Sequence, residues 1–126
     1  MDDIQNDKLL SQYSRAEAIG DGLLVDITTW TKRGGITYPV ALSRSVWLEI
    51  IEPDESAKAA CESLMGRLGR FVLSLRNEMI KGEGDRIDFQ VTFSVDGHPK
   101  DFSLYAMLHP GDNFEPVITV MEQDEE

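Results

Sequence analysis

The sequence predicts an α+β domain in which short N-terminal helices and one long amphipathic helix pack on a C-terminal three-stranded antiparallel meander. Three observations predict it. Ile87, Phe89, Val91, Phe93 and Val95 alternate with polar residues, and Phe102, Leu104, Ala106 and Leu108 repeat that period of two, the pattern of half-buried strands. Leu64, Leu68, Phe71, Val72, Leu75 and Met79 step by three and four, which lines one helix face with apolar groups. Before them, Ser, Thr, Gly and Pro break the chain into apolar runs too short for long elements.

A chain of 126 residues is long enough for one core. The expected organisation is a flexible acidic arm over 1–12, a single domain over 13–121 and an acidic tail over 122–126. No apolar run is long enough to span a bilayer, and the acidic N-terminus lacks the basic flank of a signal peptide, so a cytoplasmic protein is expected. Cys61 is the single cysteine, which excludes an intramolecular disulfide, and its setting "AKAACESL" predicts a buried, inert thiol. Asp and Glu number 23 against 12 Lys and Arg, a net charge of −11. That field repels phosphate backbones and anionic membranes, so neither direct nucleic-acid binding nor membrane binding is expected. It favours a protein partner with a basic surface, although such acidity also keeps a small domain soluble.

Taken in order, "YSRAEAIGDGLLVDI" poses the question of a site or a corner. Ser14 is a good N-cap, Arg15 to Ile19 make a short helix, and Glu17 favours its N-terminus. Gly20 and Gly22 stop it, Asp21 and Gly22 turn the chain, and "LLVDI" returns extended. The glycines lack the spacing and the lysine of a phosphate loop. Thr28 or Thr29 caps a second short helix that Gly34 and Gly35 end. After Pro39, Ser43 caps "RSVWLEII", whose Val46, Trp47, Ile50 and Ile51 face inward; Trp47 and Trp30 are read as core residues. Pro53 ends that helix, and Asp54 or Ser56 caps the longest one, from Glu55 to Lys81. Arg67, Arg70 and Arg76, with Glu62 and Glu78, fall on its solvent side. Gly66 and Gly69 inside it suggest a close backbone approach or a bend. "DGHPK" predicts a turn looser than a two-residue hairpin, "HPGDNFE" a second turn, and "PVITVME" the third strand.

The candidate chemistry is sparse. His98 and His109 both lie by turns, and His109 with Asp112 and Glu115 matches no metal-ligand spacing. No nucleophile elbow and no Cys with a nearby His occur, so no catalytic residue, metal or cofactor is assigned. The carboxylates Glu49, Glu52, Asp54 and Glu55, with the tail residues Glu122, Asp124, Glu125 and Glu126, form the predicted negative patch for a basic partner protein. Arg67 and Arg70, three apart, could chelate one phosphate, although helix-surface charge is the plainer reading. An alternative function is a small-molecule or nucleotide binder using Arg15, Asp26, Arg44 and His109 around a pocket between helices and sheet. For those residues a structural ion pair of Asp26 with an arginine is preferred, which makes the opening stretch a corner. A third reading is a homodimer or larger homo-oligomer assembled through sheet edges.

The stretches "YSRAEAIGDGLLVDI", "PVALSRSVW" and "HPGDNFEPVITVM" together resemble a family of small bacterial proteins of unknown function, often carried on plasmids, integrated elements and phages. The resemblance covers residues 13–121. The sequence departs from it in a longer acidic arm and in the aromatic "TTWTKRGGI". The resemblance assigns no catalytic residue. It implies a mobile-element setting, in which a small acidic protein that inhibits a host restriction or CRISPR protein is the expected role.

Overall fold

The computed structural model describes residues 14–52, 63–82 and 84–123. In chain order the elements are α1 (Arg15–Gly20), β1 (Leu24–Asp26), α2 (Thr28–Arg33), β2 (Val40–Ser43), α3 (Arg44–Val46) running into a π-helical turn π1 (Trp47–Ile51), α4 (Leu64–Lys81), β3 (Arg86–Val95), β4 (His98–Pro110) and β5 (Pro116–Glu122). Among the described residues, no helix is long and apolar enough to cross a membrane.

The α+β class holds, but the expected three-stranded antiparallel meander is corrected. The sheet has five strands in the order β1-β2-β5-β4-β3 and is mixed, because β5 pairs antiparallel with β4 and parallel with β2. Ala41 sits opposite Thr119 in that parallel pair. β1 pairs antiparallel with β2, Val25 opposite Leu42. The missed strand is "VALS", whose last residue, Ser43, reads in the sequence only as the cap of the next helix. All four of its residues are buried, as are Val117 to Val120 of β5. Continuous apolar runs of this kind mark strands covered on both faces. The cap itself forms as expected, with the Val46 N–H donating to Ser43 Oγ at 3.2 Å.

One face of the sheet carries the core. Leu42, Ile118, Val120, Leu104, Phe89 and Val91 pack there against Leu68, Phe71, Val72 and Leu75 of α4 and against Val46, Ile50 and Ile51. Trp30 and Trp47 lie partly buried against this core, and the Trp47 indole N–H donates to Glu52 Oε1 at 3.1 Å.

The long helix starts at Leu64, nine positions later than expected from Glu55. Ser63 is extended, and its hydroxyl accepts the Gly66 N–H at 2.9 Å as the N-cap. The alternatives Asp54 and Ser56 lie outside the described residues, as does Cys61. Neither glycine of this helix meets another backbone: a Cβ on Gly69 would meet nothing within 4 Å, and one on Gly66 would meet only the Ser63 hydroxyl. The close approach is instead at Gly34, where a Cβ would overlap Val72 Cγ1.

Arg67 is also corrected, from solvent face to core, with 2% of its surface exposed. Its guanidinium donates to the carbonyls of Ile50 (2.9 Å) and Glu52 (3.3 Å) at the end of π1, and to Ser94 O on β3. Arg70, one turn on, donates to Thr92 O at 3.0 Å. Both guanidinium carbons stand 5.1 Å from the centre of the Phe93 ring. The spacing of three that suggested a phosphate chelate therefore serves two alternate carbonyls of the edge strand β3. The physical reason is that β3 is an outer strand whose outward carbonyls lack a neighbouring strand, and the arginines supply donors to them.

The β3–β4 turn is tighter than expected. Val95 pairs with His98 directly, and Asp96 (φ 52°) and Gly97 (φ 77°) form a two-residue hairpin turn with both central residues left-handed. Pro99 is therefore a strand residue.

Two substitutions in glycines test this packing in opposite directions. Gly69→Ala should raise stability by about 0.5–1 kcal/mol, whereas Gly34→Ala should lower it through the overlap with Val72, both read as urea midpoints. Arg67→Met keeps the helix and removes the donors from three carbonyls, and should lower stability by roughly 2–4 kcal/mol; Arg67→Lys, which cannot fork between them, should restore less than half of that.

Candidate functional site

Two groups of predicted residues come into focus, one around α1 and one at the far end of the sheet.

The first begins with the N-terminus of α1, whose orphan N–H groups need acceptors. Ser14 and Glu17 form a reciprocal capping box. The N–H groups of Arg15 (2.6 Å) and Ala16 (3.0 Å) donate to the carboxylate of Asp112, which arrives from the β4–β5 loop. These two bonds hold the Asp112 carboxyl below its ordinary range. At the other end of α1, Gly22 (φ 80°) turns the chain so that the Leu23 N–H closes on Ala18 O at 2.9 Å.

Arg15 reaches from this helix across the sheet face opposite the core. Its guanidinium donates to Thr119 Oγ1 (2.9 Å) and to Ile118 O (2.8 Å). His109 meets the same hydroxyl through Nε2 at 2.7 Å, and its Nδ1 lies 3.1 Å from Pro110 O. With the imidazole neutral, the form that burial and the Arg15 charge favour, Arg15 donates to Thr119, Thr119 donates to His109 Nε2, and His109 Nδ1–H donates to Pro110 O. A protonated imidazole would donate to both partners and leave the Thr119 hydroxyl hydrogen without this acceptor. Burial lowers the His109 pKa, the Pro110 carbonyl opposes this, and the charge of Arg15 adds to the lowering. Burial also lowers that of Arg15, against the field of Asp26, Asp112 and Glu115.

Of the four residues predicted to surround a ligand, the fold thus joins Arg15 and His109 through Thr119, which the sequence reading missed. Asp26 is not in a direct ion pair with an arginine, a correction to the preferred reading. Its carboxylate instead accepts from the Thr28 N–H (3.0 Å) and the Thr28 hydroxyl, and that hydroxyl accepts from the Val40 N–H at 3.1 Å. The N-cap position of α2 is Ile27, which has no capping side chain, in place of the expected Thr28 or Thr29; Asp26, one residue earlier, takes the first N–H of the helix. Arg44 is exposed at the start of α3, with its N–H donating to Leu23 O. Among the described residues, no three His, Cys, Asp or Glu side chains converge as metal ligands. The cluster's polar groups satisfy one another, which is the chemistry of a clamp between α1, β4 and β5.

The second group lies where β4 outruns β5. Register pairs β5 with β4 only from Leu104 to Pro110, so residues 98–103 of β4 project beyond it. Beside that overhang is an open cleft of about 580 Å³, lined by Glu49, Val95, Lys100, Asp101, Phe102, Ser103, Glu122 and Gln123. Glu49 from π1 and Glu122 from the end of β5 were both predicted for the acidic patch. Asp101, which no signal in the sequence singled out, joins them through the hairpin register. Among the described residues, Lys100 is the single cation of the lining, and it lies 5.0 Å from the Phe102 ring centre. Glu52 is exposed and holds the Trp47 indole, while Asp54, Glu55, Asp124, Glu125 and Glu126 lie outside the described residues.

The His109 arrangement has a signed pH dependence. Its folded pKa lies below the unfolded value, so the neutral clamp contributes fully above pH about 6.5 and its contribution falls as pH drops toward the folded pKa. Urea midpoints of the wild type should therefore rise from pH 5 to 7 more steeply than those of His109→Gln, which cannot titrate; equal slopes would remove the histidine from the clamp. Compared with known proteins, the chain matches no family model, no curated protein and no solved structure.

Proposed function

We propose that this protein is a non-catalytic binding module that engages a basic segment of a partner protein through the cleft beside the β4 overhang. The observation that carries the reading is the convergence of Glu49, Asp101 and Glu122, from three separate elements, on one cleft whose described lining holds one lysine. In a chain of net charge −11 the long-range field draws cations toward that surface, and the local carboxylates give them a place to dock. Its volume lies within the range of ligand clefts, and Val95 and Phe102 give it apolar area. The Arg15–Thr119–His109 cluster favours no ligand, since its donors and acceptors are matched internally. In the mobile-element setting that the motif resemblance implies, the partner is a basic surface of a host defence protein, which the module inhibits by occupying it.

The test is fluorescence anisotropy with a labelled peptide rich in lysine and arginine. Binding should weaken at least tenfold between 50 and 300 mM salt and at least tenfold in the triple variant Glu49→Gln, Asp101→Asn, Glu122→Gln. Binding unchanged in the triple variant would move the contact away from the cleft.

A further inference from the structure

Among the described residues, the cleft is also a position in the sheet that no strand fills, and that gives the partner a conformation. Ser103 O accepts the Gln123 N–H at 3.0 Å, so the odd-numbered residues of β4 turn their backbone groups toward the β5 side. Two residues further along, the N–H and C=O of Asp101 point into the space that β5 occupies lower down, and the C=O of Pro99 does so after them. Among the described residues, no strand pairs with β4 on that side beyond Leu104. The hairpin is stiff enough to hold these groups in place, being paired on its other side without interruption from Arg86↔Met107 to Val95↔His98.

The sheet's other margins are managed differently. β1 is three residues long, and on β3 the outward carbonyls of Thr92 and Ser94 are taken by Arg70 and Arg67. Beside β4 the edge is flanked by carboxylates on both faces of the sheet. Glu122 shares the parity of the core residues Ile118 and Val120, and Asp101 has the opposite parity to the core residue Phe102. A strand lying in this lane would project alternate side chains toward Glu122 and Glu49 on one face and toward Asp101 on the other.

We infer that the lane beside Pro99 to Ser103 binds an extended, basic segment of a partner by strand addition, continuing the line of β5. The inference rests on the acidic-cleft reading and adds backbone pairing to it. Charge decides the occupant. The carboxylates oppose an acidic strand and complement lysine or arginine at alternating positions, while main-chain bonds supply affinity. Pro99 has no N–H to offer, so the lane ends there and takes about four residues, roughly 13 Å of strand. The partner's register is set by that stop and by the Gln123 end of β5.

The experiment uses the full chain, a blocked Lys-Val-Arg-Val-Lys peptide, and two versions of it N-methylated at alternate residues in either phase. Amide exchange by NMR and anisotropy are read together. Strand addition predicts that the unmodified peptide slows exchange of the Asp101 N–H at least tenfold. It also predicts that one of the N-methylated peptides, with charge and side chains intact, binds at least tenfold more weakly. If all three peptides bind alike and the Asp101 N–H stays fast, strand addition is overturned and the acidic-cleft reading stands. If the Asp101 N–H is already protected without peptide, the chain itself fills the lane and the inference is overturned. If no basic peptide binds even at 50 mM salt, both readings fall.

Discussion

The structure depends on the insertion of β5 between β2 and β4. The last strand of the chain becomes the centre of the sheet and ties the N-terminal β1–β2 pair to the β3–β4 hairpin. Burial of Val117, Ile118, Thr119 and Val120 follows from that position, because a central strand is covered on both faces. So does the clamp. Arg15 can reach Ile118 O and Thr119 Oγ1 only because β5 passes beneath α1. Asp112, in the loop that enters β5, is carried to the helix N-terminus for the same reason. Local caps and long-range topology are therefore coupled at one point in the fold, 97 residues apart in sequence.

Backbone carbonyls organise the few cations of this acidic chain. Arg67 and Arg70 bind the edge of β3 and the end of π1, and Arg15 binds β5. A guanidinium with its donors in a fixed fork suits such work, since one group can serve carbonyls from two elements at once. Three of the seven arginines are thus engaged with backbone carbonyls, and the carboxylates dominate the net charge. That division supports a role in attracting basic partners. It also explains why Arg67 and Arg70, three apart on a helix, do not here indicate an anion site: each has a backbone carbonyl as its acceptor.

The hairpin overhang and the cleft share one cause. β4 has 13 residues and β5 has 7, so among the described residues the longer strand outruns its neighbour at one end. Register sets which end, and therefore which residues line the gap. The Asp96–Gly97 turn fixes Asp101 opposite Thr92, whose hydroxyl donates to the Asp101 carboxylate. The acidic lining is a consequence of strand lengths and one turn.

Sequence alone determined what depends on neighbours along the chain. The Ser14 cap with Glu17 beside it, the Ser43 cap, the amphipathic stripe of Leu68, Phe71, Val72 and Leu75 and the alternation of β3 and β4 all arise from spacing within a few residues and are present, whereas Leu64, expected to begin that stripe, is exposed. The tertiary structure decided what depends on distant partners. "VALS" reads as the approach to a helix cap until β5 pairs with it. Arg67 reads as solvent-facing until π1 and β3 bring carbonyls to it. Glu49, Asp101 and Glu122 cannot be grouped along the chain, because three different elements carry them. Helical and strand periods encode which face a residue occupies, but not what lies against that face; that is set only when the sheet order brings β5 to its centre.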